Sequence, residues 1–201
     1  MAVSERLKAF LDASKASYTA ARHPTAYTAQ EIAAAQHIPG RQLAKCVLMK
    51  TDRGPLLAVL PAIALIDLKR LKAQFGVKTL AIANEADIKE RFPDVEVGAM
   101  SPFGNLYEVP VVMDCALEAA EEIAFNAGSH TDTIRMRARD VAALIKPTVC
   151  AFSQPIQSKR PAKQKHKPRR KASAATRLKP KRSTARRPVS KSRNKRPTRR
   201  R

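Results

Sequence analysis

The sequence predicts an α+β fold, with a mixed, largely antiparallel sheet surrounded by helices. Segments with strand alternation and segments with helical periodicity follow one another in irregular order, without the regular βαβ units of a doubly wound sheet. The first 157 residues are rich in Ala, Val, Leu and Ile, and this length is enough to bury one core. No internal repeat is visible in the sequence.

The charge of the chain is concentrated at its C-terminal end. Of the 39 Lys and Arg residues, 21 fall in residues 158–201, which contain no acidic residue, whereas the first 157 residues carry 18 basic and 17 acidic side chains. Residues 158–201 have almost nothing apolar to bury against the roughly 1–2 kcal/mol per residue that ordering a backbone costs. We therefore predict a folded domain at 1–150, a linker at 151–157 and a disordered basic tail at 158–201.

The first elements are expected to be two helices separated by an extended segment. An apolar stripe at residues 7–11 has helical spacing, and residues 18–23 then favour an extended conformation. Thr28, followed three residues later by Glu31, is the pattern of a capping box, so the second helix should begin there and end before Pro39.

A hairpin and a third helix are predicted next. Two apolar runs, 43–50 and 55–61, flank a turn signal at 52–54. Asp67 then begins a helix that Gly76 closes.

The following stretch predicts a short strand at 79–82 and a helix that begins at Asn84. Residues 98–105 are expected to form a loop, and 107–114 an apolar strand. Pro110 lacks an N–H donor, which indicates a sheet edge or a bulge there.

The last part of the domain predicts a strand pair and a helix. Residues 123–126 and 133–136 are the two strands, joined by the turn at 127–130. The helix at 138–145 should stop before Pro147.

Composition indicates a soluble cytoplasmic protein without a metal or another cofactor. The three cysteines, at 46, 115 and 150, suggest neither a disulfide framework nor a zinc site. The longest apolar stretch, 56–66, is interrupted by Pro61 and is too short to span a bilayer. The N-terminus has no signal-peptide pattern.

Lys45 is the first candidate for chemistry, because it lies within the apolar run of the first hairpin strand. Strand alternation puts it on the same face as Val47 and Met49 and opposite Cys46. A lysine on a half-buried face is costly unless a carbonyl or an anion meets it. The same pattern fits a lysine whose stem is buried while its head reaches water.

Two glycine-containing segments are the other candidates. In 98–104, two glycines and a proline favour a tight loop whose backbone N–H groups can approach a ligand closely. At Gly128-Ser129-His130, a glycine turn presents a histidine beside a strand. Each pattern is also compatible with a plain connection and an exposed histidine. The sequence contains no GxSxG, P-loop, GxGxxG or HExxH motif.

Taken together, these segments resemble one known family. The order is His23-Pro24, the stretch 27–31, Ala44-Lys45, the loop Gly98-x-x-Ser101-Pro102-Phe103-Gly104, and Gly128-Ser129-His130. This order is similar to that of the YbaK/prolyl-tRNA-synthetase-associated editing domains, which hydrolyse mischarged aminoacyl-tRNA. The resemblance covers residues 3–147, excludes the basic tail, and implies a barrel-like form of the sheet.

The resemblance also implies a site and a substrate. Lys45 would match the essential lysine of the family, and the loop containing Gly98, Ser101 and Pro102 would place backbone amides beside the aminoacyl carbonyl. Gly128 and His130 would contact the substrate, with His130 lining the amino-acid pocket. Met49 is a further candidate for substrate contact because strand alternation puts it on the same side as Lys45. The implied activity is a trans-acting deacylase that removes a small amino acid, as from Ala-tRNA(Pro), by attack of a positioned water without a protein nucleophile.

The basic tail leaves a second interpretation open. Its Lys and Arg residues would bind the tRNA backbone without reading sequence, because no aromatic residues are interleaved to stack bases. Alternatively, the protein is a non-enzymatic nucleic-acid-binding protein that acts on DNA or RNA through this tail. Binding to an anionic membrane is equally permitted by charge alone.

Overall fold

The computed structural model describes residues 3–156, and the basic tail lies outside the described residues. Within 3–156 the chain forms six α-helices, ten strands and one 3-10 helix at Gly104–Tyr107. The helices are α1 Glu5–Ala13, α2 Ala29–Ala35, α3 Leu68–Phe75, α4 Glu85–Arg91, α5 Cys115–Glu118 and α6 Ala138–Ile145. The strands are β1 Thr19–Arg22, β2 Ala44–Thr51, β3 Gly54–Pro61, β4 Ala64–Ile66, β5 Leu80–Ile82, β6 Val111–Asp114, β7 Glu122–Asn126, β8 Asp132–Arg137, β9 Thr148–Cys150 and β10 Ser153–Pro155.

Three of the helices begin at the capping residues that the sequence indicated. The Thr28 side chain accepts from the Glu31 N–H at 3.2 Å while the Glu31 carboxylate accepts from the Thr28 N–H, which completes the capping box of α2. Asn84 forms the equivalent box at α4. Asp67 caps α3, which ends at Gly76 in the left-handed conformation.

The sheets are mixed and mostly antiparallel, as predicted. A five-stranded sheet has the order β5-β2-β3-β6-β9, in which β3–β6 and β6–β9 are parallel. A three-stranded sheet, β1-β8-β7, and a pair, β10-β4, are antiparallel throughout. A parallel bridge between Leu43 and Ala124 joins the start of β2 to β7. This bridge brings the two larger sheets together at the point where the predicted site lies.

The main core fills the space between the two larger sheets and the helices α1 and α6. Its members include Leu57 and Val59 of β3, Phe125 of β7 and Leu11 of α1, all fully buried. A second cluster, which contains Met49 and Phe152, packs on the opposite face of the five-stranded sheet. Burial of this apolar surface supplies the main driving force for folding.

The strand expected at 107–114 is shorter than predicted. The 3-10 helix occupies its first part, and β6 begins at Val111. Pro110 has no N–H to donate, and its carbonyl instead accepts from the Leu57 N–H at 2.8 Å. The proline therefore ends the irregular segment and sets the position where pairing with β3 begins.

The stretch 151–157, expected to be a linker, contains part of the fold instead. Phe152 is fully buried, and the N–H groups of Phe152 and Ser153 donate to the Asp114 carboxylate at 3.1 and 2.8 Å. Strand β10 then pairs with β4. The domain therefore extends past residue 150, because Phe152 is buried and the Asp114 carboxylate accepts hydrogen bonds from this segment.

No helix among residues 3–156 is both long and apolar enough to cross a bilayer.

Candidate functional site

The ammonium group of Lys45 is held at the junction of β3 and β4. Its Nζ donates to the carbonyl oxygens of Ala62 at 3.3 Å and Ala64 at 2.5 Å. The side chain is half-buried, and burial lowers the pKa of Lys45 below its ordinary value. The two carbonyls offset part of the desolvation cost and fix the ammonium group. An ammonium group has three hydrogens, so one of them is not used in these two bonds.

The strand faces agree with the alternation that the sequence predicted. Val47 and Met49 pack in the second core cluster, whereas Cys46 packs against the main core on the other face. Burial raises the pKa of the Cys46 thiol, so this cysteine remains a neutral thiol at physiological pH. The half-buried Cys46 packs as a small apolar side chain and is not activated as a nucleophile.

A cavity of about 180 Å³ lies beside Lys45. It is smaller than the roughly 300–1,000 Å³ of pockets that take drug-sized ligands, so it suits a small group. Residues from β2, β7, α2 and the 98–104 loop contribute to its wall. The lining residues are Tyr27, Ala29, Ile32, Leu43, Ala44, Lys45, Cys46, Gly98, Met100 and Asn126.

The loop after α4 presents unpaired backbone donors on this side of the molecule. Gly98 has a φ of +90°, a conformation that favours glycine. Among residues 3–156, no protein oxygen accepts the N–H hydrogens of Gly98, Met100 and Ser101. Gly98 and Met100 line the cavity, whereas Ser101 and Pro102 are buried behind it. Such a set of donors can bind a carbonyl or an oxyanion.

Two backbone hydrogen bonds attach this loop to the turn between β7 and β8. The Gly128 N–H donates to the Ala99 carbonyl at 3.2 Å, and the Glu96 N–H donates to the Gly128 carbonyl at 2.9 Å. Gly128 has a φ of +102°, and the position of a Cβ there would lie 2.9 Å from Ser4 Cβ. The turn can therefore accommodate only glycine without a shift of Ser4.

His130 is anchored in this turn by hydrogen bonds at both its backbone and its ring. Its N–H donates to the Glu96 carboxylate at 2.8 Å, and Nε2 lies 2.9 Å from the Val97 carbonyl oxygen. Because a carbonyl can only accept, Nε2 carries the hydrogen, and Nδ1 of the neutral ring is an acceptor. Nδ1 is buried and has no partner among residues 3–156.

His130 does not line the cavity of Lys45, but it lies against Tyr27 and Gly98, which do. Its ring centroid is 4.9 Å from that of Tyr27, and a Cβ on Gly98 would lie 3.5 Å from its Cε1. His130 and Tyr27 also line a wider groove of about 540 Å³, together with Arg22 and Lys89. Tyr27 belongs to both the cavity and the groove, and it is 73% exposed.

The structure places Lys45 and Gly98 in the wall of one cavity, and it places Gly128 and His130 in the turn that is hydrogen-bonded to the segment around Gly98. Met49 lies elsewhere: it is fully buried near the other end of β2, where it lines a separate cavity of about 220 Å³ with Lys50 and Asp87. Met49 is four residues along the strand from Lys45, which is two periods of the alternation on the same face. Contact between Met49 and a ligand at Lys45 would need this core to open.

Asn126 is a cavity residue that the sequence interpretation missed. It ends β7, and its Oδ1 is buried without a hydrogen-bond partner among residues 3–156. The available signal was a polar residue directly after the apolar run 123–125. The same pattern is common at strand ends, where it indicates only a turn.

Among residues 3–156, no group of three or more His, Cys, Asp or Glu side chains lies close enough together to hold a metal ion.

Comparison with known proteins shows the family of the chain. The family model described as aminoacyl-tRNA editing domain matches residues 23–144, which include Lys45, the Gly98–Pro102 loop and His130. Because this match covers more than half of the chain, the protein belongs to the aminoacyl-tRNA editing domain family. The resemblance found in the sequence is confirmed.

Solved structures show the same fold at low sequence identity. A protein provisionally described as a trans-editing enzyme for prolyl tRNA synthetase is 19% identical, with a TM-score of 0.67, over 76% of this chain and 97% of that chain. The hypothetical protein APE2540 is 16% identical, with a TM-score of 0.69, over 75% of this chain and 100% of that chain. No curated protein matches the sequence of the chain.

Proposed function

We propose that this protein is a trans-acting aminoacyl-tRNA deacylase that hydrolyses the ester of a tRNA carrying the wrong, small amino acid. The observation that carries the proposal is that Lys45 and unpaired backbone N–H groups lie around one small cavity. The chain that contains this cavity belongs to the editing-domain family. A description of one neighbour as a prolyl-tRNA trans-editing enzyme supports the same class of activity.

The proposed reaction needs no protein nucleophile. An aminoacyl ester is already activated, so a water molecule attacks its carbonyl carbon, the bond to the ribose oxygen breaks, and that oxygen takes a proton. The N–H groups of Gly98 and Met100, which line the cavity, bind the carbonyl oxygen as negative charge develops on it. One backbone donor of this type is worth about 10²–10³ in rate.

Lys45 supplies a positive charge beside the ester in this proposal. Two of its hydrogens are held by the Ala62 and Ala64 carbonyls, which leaves the third to reach the substrate. Holding the head group in advance avoids an ordering cost during the reaction. The function of Lys45 is therefore electrostatic, and it requires the protonated form.

The surroundings of the cavity suggest how the tRNA end is held. Tyr27 lies where the cavity meets the wider groove, and its exposed ring can stack on the terminal base. Arg22 and Lys89 in the groove can contact phosphates. His130 fixes the segment before Gly98 through Glu96 and Val97, so we assign it the positioning of the loop.

The size of the cavity supports a small amino acid, such as alanine on tRNA(Pro). At about 180 Å³, the cavity excludes large side chains by steric overlap. A hydrophobic pocket separates neighbours that differ by one methylene only weakly, by about 1–3 kcal/mol. We therefore expect cleavage of more than one small aminoacyl ester.

The deciding experiment is a panel of tRNAs charged with different amino acids and incubated with the full-length protein. We expect rapid loss of a small amino acid and no loss of large ones. Release of no amino acid from any tRNA would contradict the proposal and favour the alternative, a non-enzymatic nucleic-acid-binding protein that acts through the basic tail. The charge of 158–201 is the observation that supports this second candidate.

A further inference from the structure

Asn126 carries a buried acceptor that the fold leaves unused. Its Oδ1 has no hydrogen-bond partner among residues 3–156, although the atom is inaccessible to solvent. Leaving a buried polar atom unsatisfied costs about 1–3 kcal/mol. Such an atom in a native fold calls for an explanation. The side chain that carries it lines the Lys45 cavity, where a ligand group can supply the missing partner once the amide turns toward it.

The backbone register explains why Asn126 faces the cavity. The parallel bridge joins Leu43 to Ala124, and the Ala124 N–H donates to the Gln42 carbonyl at 2.8 Å. Lys45 lies two residues after Leu43, and Asn126 lies two residues after Ala124. Because side chains alternate in strands, each lies on the same face as its bridge residue, and both therefore line one cavity.

The donors and acceptors of the cavity define the ligand group that Asn126 fits. Lys45 and the N–H groups of Gly98 and Met100 are donors, and they suit the ester oxygens. An aminoacyl ester also has one end that only donates, its α-ammonium group. The buried Oδ1 of Asn126 is an acceptor of the kind that this end requires.

We infer that the side-chain amide of Asn126, which lines the cavity, binds the α-ammonium group of the aminoacyl ester through Oδ1 after a rotation about the Cβ–Cγ bond that turns this buried oxygen toward the cavity. The inference rests on the proposed deacylase function and adds to it a residue that recognises the amino acid as an amino acid. With the carbonyl held at Gly98 and the ammonium held at Asn126, the ester is fixed at two points. The side chain of the amino acid then has one direction in which to extend.

The test combines a change in the protein with a change in the substrate. Wild type, Asn126→Leu and Asn126→Asp are each assayed on the aminoacyl-tRNA that the panel identifies and on its desamino counterpart, which for alanine is the propionyl ester. Leucine matches the shape of asparagine without an acceptor, and aspartate keeps the acceptor oxygen. Each rate is divided by the spontaneous hydrolysis rate of the same ester, because the ammonium group itself activates the ester.

We expect wild type to favour the aminoacyl ester over the desamino ester by roughly 10- to 100-fold, the range for a hydrogen bond to a charged group. Asn126→Leu should lose this preference through a slower reaction of the aminoacyl ester alone. Asn126→Asp should retain the preference. Thr133→Val, which alters the β8 residue paired with Asn126 outside the cavity, should behave as wild type.

The outcomes separate this inference from the proposed function. An equal loss on both esters in Asn126→Leu, or no loss, would overturn the inference while leaving the deacylase activity established. Equal rates of the two esters in wild type would overturn it as well. If wild type accelerates the hydrolysis of no ester, the proposed function itself fails, and the assignment of Asn126 fails with it.

Discussion

At the scale of single residues, Lys45 is where structure and proposed chemistry are most directly connected. Its ammonium group is fixed by two backbone carbonyls and lies at a cavity, so removing it changes the charge at the site without removing a core side chain. A surface lysine would instead keep its head group in water. This difference makes the residue a sharp test of the site.

Lys45→Ala should lower the rate of ester hydrolysis by at least about 10²-fold, the loss typical when one preorganised donor is removed. The fold should persist, because the side chain is only half-buried. Initial rates and thermal unfolding measure the two effects. Lys50→Ala is the matched control: this lysine of the same strand pairs with Asp87 at 2.9 Å, away from the cavity, and its loss should leave the rate unchanged. Full activity of Lys45→Ala would contradict the assignment of the site.

The protonation of Lys45 adds a pH dependence to the same residue. Burial lowers its pKa, so the ammonium form is complete at low pH and is lost as pH rises through a value below that of an exposed lysine. Since the proposed function requires the charged form, the enzymatic rate above the spontaneous background should fall on the alkaline side. The initial rates of wild type and Lys45→Ala are measured across the same pH series. Only wild type should show this alkaline decline, because the variant has no ammonium group to lose its charge.

At the scale of elements, local signals in the sequence were sufficient wherever the structure is decided locally. The capping pair Thr28 and Glu31 satisfies backbone donors within one turn, and the structure contains that box. The two-residue turn before Gly54 was equally readable, because β2 and β3 pair in register up to it. Lys45 was also identifiable from local sequence, because it is a charged residue within an apolar run.

The elements that the sequence did not reveal depend on distant partners. Strands β4, β9 and β10 have three residues each, and each is defined by a pairing partner far along the chain. Phe152 is buried through contacts that no local pattern signals. Asn126 likewise became a site residue only when the bridge at Leu43 placed β7 beside β2. Tertiary contacts, and not propensity, therefore decided these parts.

The 98–104 loop gives a prediction at this scale. Gly98→Ala places a side chain at a φ of +90°, a backbone conformation that strains alanine by about 1–3 kcal/mol, and relief of this strain shifts the loop. The contact with the His130 ring, at 3.5 Å, adds no clash. Because the shift moves the backbone donors, the rate of hydrolysis should fall along with the free energy of unfolding. Both are measured on the same preparation, by initial rates and by urea unfolding.

Gly54→Ala is a matched control for that loop variant. Gly54 also has a positive φ, +109°, but a Cβ there would meet nothing within 4 Å, and the residue lies at the hairpin away from the Lys45 cavity. We expect a comparable loss of stability with an unchanged rate. A rate that falls equally in both variants would show that the loss in Gly98→Ala reports general instability and not the position of the loop donors.

At the scale of the whole molecule, the chain combines a near-neutral editing domain with a strongly basic sequence. The domain carries 18 basic and 17 acidic residues up to position 157, and the basic tail carries 21 basic residues and no acidic ones. Contacts with phosphates are independent of sequence and weaken steeply with salt, by roughly 10³–10⁵ for six to ten contacts between 50 and 200 mM. The domain of this chain has little net positive charge with which to hold tRNA, so we propose that the tail provides this hold.

Removing 157–201 should raise the KM for aminoacyl-tRNA by about tenfold or more at low salt and flatten its salt dependence, with little change in kcat. The cut belongs after Ile156, because a cut at 150 would remove buried Phe152 and the pairing of β10 with β4, and loss of a buried Phe costs about 3–5 kcal/mol. Steady-state kinetics across a salt series measure the effect.

A second variant separates charge from chain length. Replacing the Lys and Arg residues of 158–201 by Gln keeps the length while removing the positive charge, and it should reproduce the effect of the deletion because counterion release depends on charge alone. If either variant keeps the KM and salt dependence of the full chain, the tail does not hold tRNA, and its charge serves another polyanion. If both lose DNA binding and keep the KM, that polyanion is DNA, and the editing domain binds its substrate through its own surface at Tyr27, Arg22 and Lys89.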